Sequence, residues 1–158
     1  MATPPKPHKP PVPQFDEQLV NLYEERYLPH ADTIYRFAFA LTLSLDAAYA
    51  CVKSTFQTVA SKFPTVKVTP ETGVLPLLIS TCWRVCQDGG YTHTSAGTSA
   101  VSAALKSLGI EARASLAAVD VVGLSPADTA KIFTWNEVDV RRHLAEARRT
   151  LVRQNATF

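Results

Sequence analysis

The sequence predicts an all-α protein: two small helical modules joined by a flexible linker, the second a helix-turn-helix. Three observations carry this. Apolar residues recur at helical spacing along most of the chain. No sustained alternating run and no Asn-Gly hairpin occurs. Proline- and glycine-rich stretches divide the helical pattern into segments. The composition agrees: 158 residues, 46% of them hydrophobic, suit one domain or two very small ones. Charged residues are only 19% and the net charge is +2. That excludes a long coiled coil, a highly charged disordered chain and a strongly basic DNA-coating protein, so a nucleic-acid role must rest on local clusters. No apolar run reaches the roughly 18 residues of a membrane helix, and the N-terminus lacks the apolar stretch of a signal peptide. Three cysteines, an odd number, make no disulfide framework. The expectation is a cytoplasmic protein with reduced thiols.

Residues 1–14 hold six of the eleven prolines. Proline fixes φ and lacks an N–H, so this segment reads as a disordered tail, with a docking peptide as the lesser reading. Residues 15–88 read as the first helical module. Phe15, Leu19, Leu22 and Tyr23 form a stripe that Pro29 interrupts, and Ile34, Phe37, Ala38 and Leu41 continue it. Ser44 is placed to cap a helix whose buried face is Ala48, Cys51, Val52, Phe56, Val59 and Phe63, ended by Pro64. Thr69-Pro70 is a start signal for a helix with Leu75, Leu78, Ile79, Cys82, Val85 and Cys86 on its apolar side and Pro76 near its start. Residues 88–99 carry three of the six glycines and five Ser or Thr, so 89–98 is the predicted linker.

Residues 99–158 form the second module. Ala103, Ala104, Leu108, Leu116, Val119 and Val122 lie at helical intervals, and Gly109 and Gly123 are expected helix C-caps. Ser125-Pro126-Ala127-Asp128 starts a short helix to Phe133. Asn136 caps a last helix from Glu137 to about Gln154, buried along Val140, Leu144, Ala147 and Leu151. That helix carries Arg141, Arg142, Arg148, Arg149 and Arg153 against Asp139 and Glu146. At about 100° per residue, Arg141 and Arg148 fall on one flank, and Arg142, Arg149 and Arg153 nearly opposite the core. Such a face can bind phosphates and present side chains to a major groove. It reads equally as a solvated face with arginines near a helix C-terminus.

Leu124-Ser125-Pro126-Ala127-Asp128-Thr129-Ala130-Lys131-Ile132-Phe133, then Val140-Arg141-Arg142-His143-Leu144, then Ala147-Arg148-Arg149-x-Leu151 resembles the promoter-binding helix-turn-helix of extracytoplasmic function (ECF) sigma factors, of the sigma-70 family. The first module follows that family's core-binding order through Leu22-Tyr23, Tyr35-Arg36-Phe37-Ala38, Leu45-Asp46-Ala47-Ala48, Val52-x-x-Thr55-Phe56 and the helix around Ile79–Asp88. The resemblance implies a divergent ECF-like sigma factor directing promoter recognition and transcription initiation, with core RNA polymerase and promoter DNA as partners and an anti-sigma factor as regulator. It implies Asn136, Arg141 and Arg142 at bases or phosphates, Arg148 and Arg149 on the DNA backbone, and Tyr49, Lys53 and Phe56 at the polymerase or another partner. Where the family's polymerase-facing helix is acidic and bears glutamine, Tyr49, Ala50, Lys53 and Ser54 stand here. Residues 1–98 carry eight basic and eight acidic residues, whereas a module holding a melted strand is normally electropositive. The usual glycine of the turn is replaced, with Thr134 and Val138 there. These departures give the second reading: a sigma-like protein-interaction module, for example an anti-sigma decoy or regulator, that has lost promoter melting.

No catalytic function is expected. No phosphate-cradling glycine loop occurs, and His8, His30, His93 and His143 lack an acid-nucleophile arrangement. No cofactor is implied. Cys82 and Cys86 have a spacing that can hold a metal, with Cys51 and His93 to complete it. The favoured reading is that these thiols are small apolar fillers, with no metal site. Trp135 is expected to plug a core, with stacking on a base or partner as the alternative.

Overall fold

Pro29 sets the first boundary. Helix α1, Glu17–Tyr27, ends in a 3₁₀ turn, Leu28–His30, that holds this proline where no i−4 hydrogen bond is needed, and α2 follows over Ala31–Thr42. The computed structural model describes residues 17–62, 73–91 and 100–154. The proline-rich tail, the Thr69-Pro70 start signal, His93 and most of the expected linker lie outside them.

Leu43 closes α2 with φ 56°, and its N–H donates to the Phe39 carbonyl oxygen. Ser44 then caps α3, Leu45–Lys62, its Oγ accepting from the Ala47 N–H at 3.3 Å as the sequence predicts. Helix α4, Val74–Asp88, has Pro76 in its first turn, where the missing N–H is one that would have no partner within the helix. Short helices α5, Ala100–Lys106, and α6, Ile110–Leu116, are separated by Gly109. Gly109 is the N-cap of α6, with φ −60° and ψ 156°, and not the C-cap expected of it: an extended conformation starts a helix and cannot end one.

After α6 the chain widens into a π turn, Ala117–Val121, marked by the Val122 N–H reaching back to the Ala117 carbonyl oxygen. Gly123 follows at φ 87°, a left-handed residue past a helix end as predicted. Helix α7, Pro126–Phe133, has Ser125 as N-cap, its Oγ accepting from the Asp128 N–H at 3.0 Å. Helix α8, Glu137–Arg153, has Asn136 as N-cap, its Oδ1 accepting from the Val138 N–H at 2.9 Å. Among the described residues there is no strand, so the all-α expectation holds.

The helices before and after residues 92–99 share one core. Phe37, Leu41, Leu78, Ile79 and Trp83 from α2 and α4 pack with Ala114, Ala117, Ala118 and Phe133 from α6 to α7. A second cluster joins Leu105, Leu108, Leu116, Leu144 and Leu151, and Leu43 is inserted into it from the end of α2. Helix α2 contacts α3, α4, α6 and the π turn, which makes it the central element.

Candidate functional site

Residues Thr134 to Asn136 form the turn between α7 and α8. Thr134 takes φ 58°, and the N–H groups of Trp135 and Thr134 return to the carbonyl oxygens of Ala130 and Lys131 at 2.9 and 3.3 Å. This double bond pattern is a helix ending that usually requires glycine. The turn therefore forms without a glycine, and a β-branched residue holds the left-handed position.

The turn does not project freely. Trp135 is half-buried and meets Trp83 of α4 edge-on at 5.6 Å and Phe133 at 4.8 Å. Trp83 lies 5.3 Å from Phe133, and Phe133 stacks toward Phe37 at 6.2 Å. The aromatic set closes the seam between α4 and α7, as expected of Trp135 read as a core plug.

The expected DNA-facing side chains are on the surface, but acids answer most of them. Arg141 reaches Glu137 at 2.6 Å, Arg142 reaches Asp139 at 2.9 Å, and Arg148 makes a two-pronged contact with Asp120 at 2.6 and 3.1 Å. The Arg148 guanidinium is held above its usual pKa, first by that hydrogen bond. Arg149 donates to the Ala145 carbonyl oxygen at 3.2 Å. Glu137 belongs to α8, so five arginines face three acids on the helix, and Asp120 of the π turn adds a fourth beside it. Asn136 spends its Oδ1 on the cap.

On α3, Tyr49 is 67% exposed and Lys53 is exposed one turn further on. Phe56 differs: its ring is half-buried against the core, and its carbonyl oxygen accepts from the Tyr23 hydroxyl at 2.8 Å. The structure thus places two of these three residues on an open face.

Along the α4–α7 seam runs a groove of about 540 Å³ walled by Pro76, Leu77 and Ser80 on one side and Asp128, Lys131 and Ile132 on the other, with Leu124 between. It continues, through Ser80 and Ile132, into a depression of about 510 Å³ edged by Arg84, Gln87, Glu111 and Trp135. Its floor is apolar and its rim carries both signs of charge. Leu77 and Ile132 are half-buried at the edge of the main core; Leu77 falls outside the stripe of Leu75, Leu78, Ile79 and Cys82 that periodicity picks out on α4.

All three cysteines are buried, and among the described residues no cluster of His, Cys, Asp and Glu could hold a metal. No described helix is long and apolar enough to cross a membrane.

No protein-family model matches the sequence, and a search of curated proteins finds no match. Solved structures do match. The anti-anti-sigma factor PhyR of Bartonella quintana, solved with the anti-sigma factor NepR, superposes with a TM-score of 0.63 at 17% identity, over 85% of this chain. The chain spans half (50%) of that PhyR chain. The sigma factor RpoE of Bartonella quintana, also solved with NepR, superposes with a TM-score of 0.59 at 16% identity, over 90% of this chain and 97% of that one. The chain therefore shares the helical fold of these two structures.

Proposed function

We propose that the chain is a sigma-like protein-interaction module that receives a helical segment of an anti-sigma-type regulator in the α4–α7 groove. The observation that carries this is the groove itself: an apolar floor with a rim of Asp128, Lys131, Arg84 and Glu111, built across two groups of helices that share a core. An amphipathic helix fits such a surface through apolar anchors at one face and charged flanks. Both neighbouring structures contain an anti-sigma factor, which supports the class of partner. The neutral first half, the self-paired arginines of α8 and the presence of Tyr49, Ala50, Lys53 and Ser54 where acidic and glutamine residues were expected agree with a scaffold kept for protein contacts.

A divergent sigma factor is the second reading. It is favoured by the match over nearly the whole of a sigma factor and by the exposure of Arg141 and Arg142. In it, Tyr49, Lys53 and Phe56 meet core polymerase, Asn136, Arg141 and Arg142 meet promoter bases or phosphates, and Arg148 and Arg149 touch the backbone.

Calorimetric titration of the purified chain with an anti-sigma factor of this class, beside a pull-down with core RNA polymerase and run-off transcription, separates the two. Saturable binding that Leu77→Glu or Ile132→Glu weakens at least tenfold is the expected result. Stable polymerase binding with new start sites, and no regulator binding, replaces the first reading by the second.

A further inference from the structure

Cys51 of α3 and Cys86 of α4 meet inside the first core. Both have no exposed surface, and the Cys86 thiol donates to Cys51 Sγ at 3.0 Å. Filling a helix interface requires only small apolar volume. It does not require two of three cysteines, 35 positions apart, to aim their sulfurs at one another. A disulfide has its sulfurs at about 2.05 Å, so bond formation asks the pair to close by about one ångström from 3.0 Å. The hydrogen bond also makes the two unequal. Accepting it favours the Cys51 thiolate, so that thiol is lowered from its usual pKa. Donating it, together with contact from Cys82 and burial, pushes the Cys86 thiol up.

We propose that Cys51 and Cys86 are a redox dithiol that a hydroperoxide converts into an intramolecular disulfide, Cys51 being the attacking sulfur and Cys86 the resolving one. In the first step the Cys51 thiolate attacks one peroxide oxygen. The S–O bond forms, the O–O bond breaks, and the departing hydroxide takes a proton to become water. In the second step Cys86 sulfur attacks the Cys51 sulfenic acid. The S–S bond forms, the S–O bond breaks, and the hydroxyl leaves as water with the Cys86 proton. Two electrons pass from the two thiols to the peroxide. Peroxide is small enough to reach buried thiols through local opening of the helices. The bond ties α3 to the helix that carries Ser80, Trp83 and Arg84, so it stiffens one wall of the seam. The inference does not depend on which partner the groove takes.

The test uses the full chain, folded, exposed to excess hydrogen peroxide, quenched with an alkylating agent and digested with trypsin. Cleavage after Arg84 separates Cys82 from Cys86. The expected product links peptide 37–53 to peptide 85–106, is released by a dithiol reductant, and leaves Cys82 alkylated. Cys82→Ala keeps the link and Cys51→Ser abolishes it. A link through Cys82, overoxidation of Cys51 without a link, or a folded chain inert at peroxide levels that cross-link it in urea overturns the proposal.

Discussion

The guanidinium of Arg113 on α6 donates to the main-chain carbonyl oxygen of Leu41 on α2 at 2.8 Å, across 72 positions of sequence. Leu41 lies in the last turn of α2, where carbonyl groups have no partner within the helix and the helix dipole is negative. A buried cation from the second half of the chain therefore caps a helix of the first. Burial lowers the Arg113 pKa from its usual value. Its charge is retained at neutral pH because arginine starts so high. A hydrogen bond from a charged donor contributes about 1.5–3 kcal/mol, so Arg113→Met is expected to lose about 2 kcal/mol in urea unfolding. Unchanged stability would mean that the shared core holds the halves together without it.

Leu43 and Thr134 occupy the same left-handed conformation, φ 56° and 58°, in opposite surroundings. A side chain in that region costs about 1–2 kcal/mol relative to glycine. Thr134 is exposed, so Thr134→Gly is expected to stabilise the chain by about 1 kcal/mol, less what glycine adds to unfolded-chain freedom. Leu43 is 1% exposed and fills the cluster with Leu116 and Leu144. Removing a buried leucine costs about 2–5 kcal/mol. Leu43→Gly should therefore destabilise by about 1–3 kcal/mol despite the relief of strain. Thermal melts of the two variants check the opposite signs. Stabilisation of both would show that the backbone angle, and not burial, decides; destabilisation of both would show that Thr134 is not strained.

Tyr23 makes the alkaline side informative. Its hydroxyl is pushed up to about 12 from 10.0, first by burial and then by the neighbouring Tyr27. The folded chain thus favours the neutral phenol, which donates to the Phe56 carbonyl oxygen and holds α1 against α3. The stability this gives is fully present below pH 10.0 and is lost as pH rises toward about 12, because the unfolded chain ionises first. Tyr27 is raised in the same direction, also by burial, and contributes to the same loss. Unfolding midpoints across this window should fall, and Tyr23→Phe should flatten the fall in part. An equal slope in the variant would assign the whole effect to Tyr27.

Local signals were readable in the sequence, and distant ones were not. Ser44, Ser125 and Asn136 were identifiable as caps because a cap bonds two or three residues ahead. The core of α8 was identifiable because Val140, Leu144, Ala147 and Leu151 repeat at helical spacing. Gly109 was misread because glycine serves both ends of helices, and its dihedral angles decide which. The Arg113–Leu41 contact, the insertion of Leu43 and the meeting of Cys51 with Cys86 depend on how α2, α4 and α6 cross, which periodicity does not encode. The groove has the same origin: Leu77 and Ile132 come together only when the halves pack.

The acids around α8 give the sharpest test of what its arginines do. Asp120, Glu137 and Asp139 engage Arg148, Arg141 and Arg142, and each pair is partly exposed to solvent. Exposed pairs contribute about 0–1 kcal/mol each, so Asp120→Asn with Glu137→Gln and Asp139→Asn should lower stability only slightly. Their effect on DNA should be far larger. Three released arginines that each meet a phosphate steepen the salt dependence by about 0.9 per contact, or a gain of about forty-fold in affinity between about 200 and about 50 mM salt. The unmodified chain should bind duplex DNA weakly with a shallow slope, and the triple variant tightly with a steep one, by fluorescence anisotropy. Arg141→Ala and Arg142→Ala should then each remove about one contact from the triple variant. A steep slope already present in the unmodified chain would mean that phosphates displace these acids readily. In that event α8 regains its claim as a promoter-reading helix, and the weight shifts to the sigma factor reading.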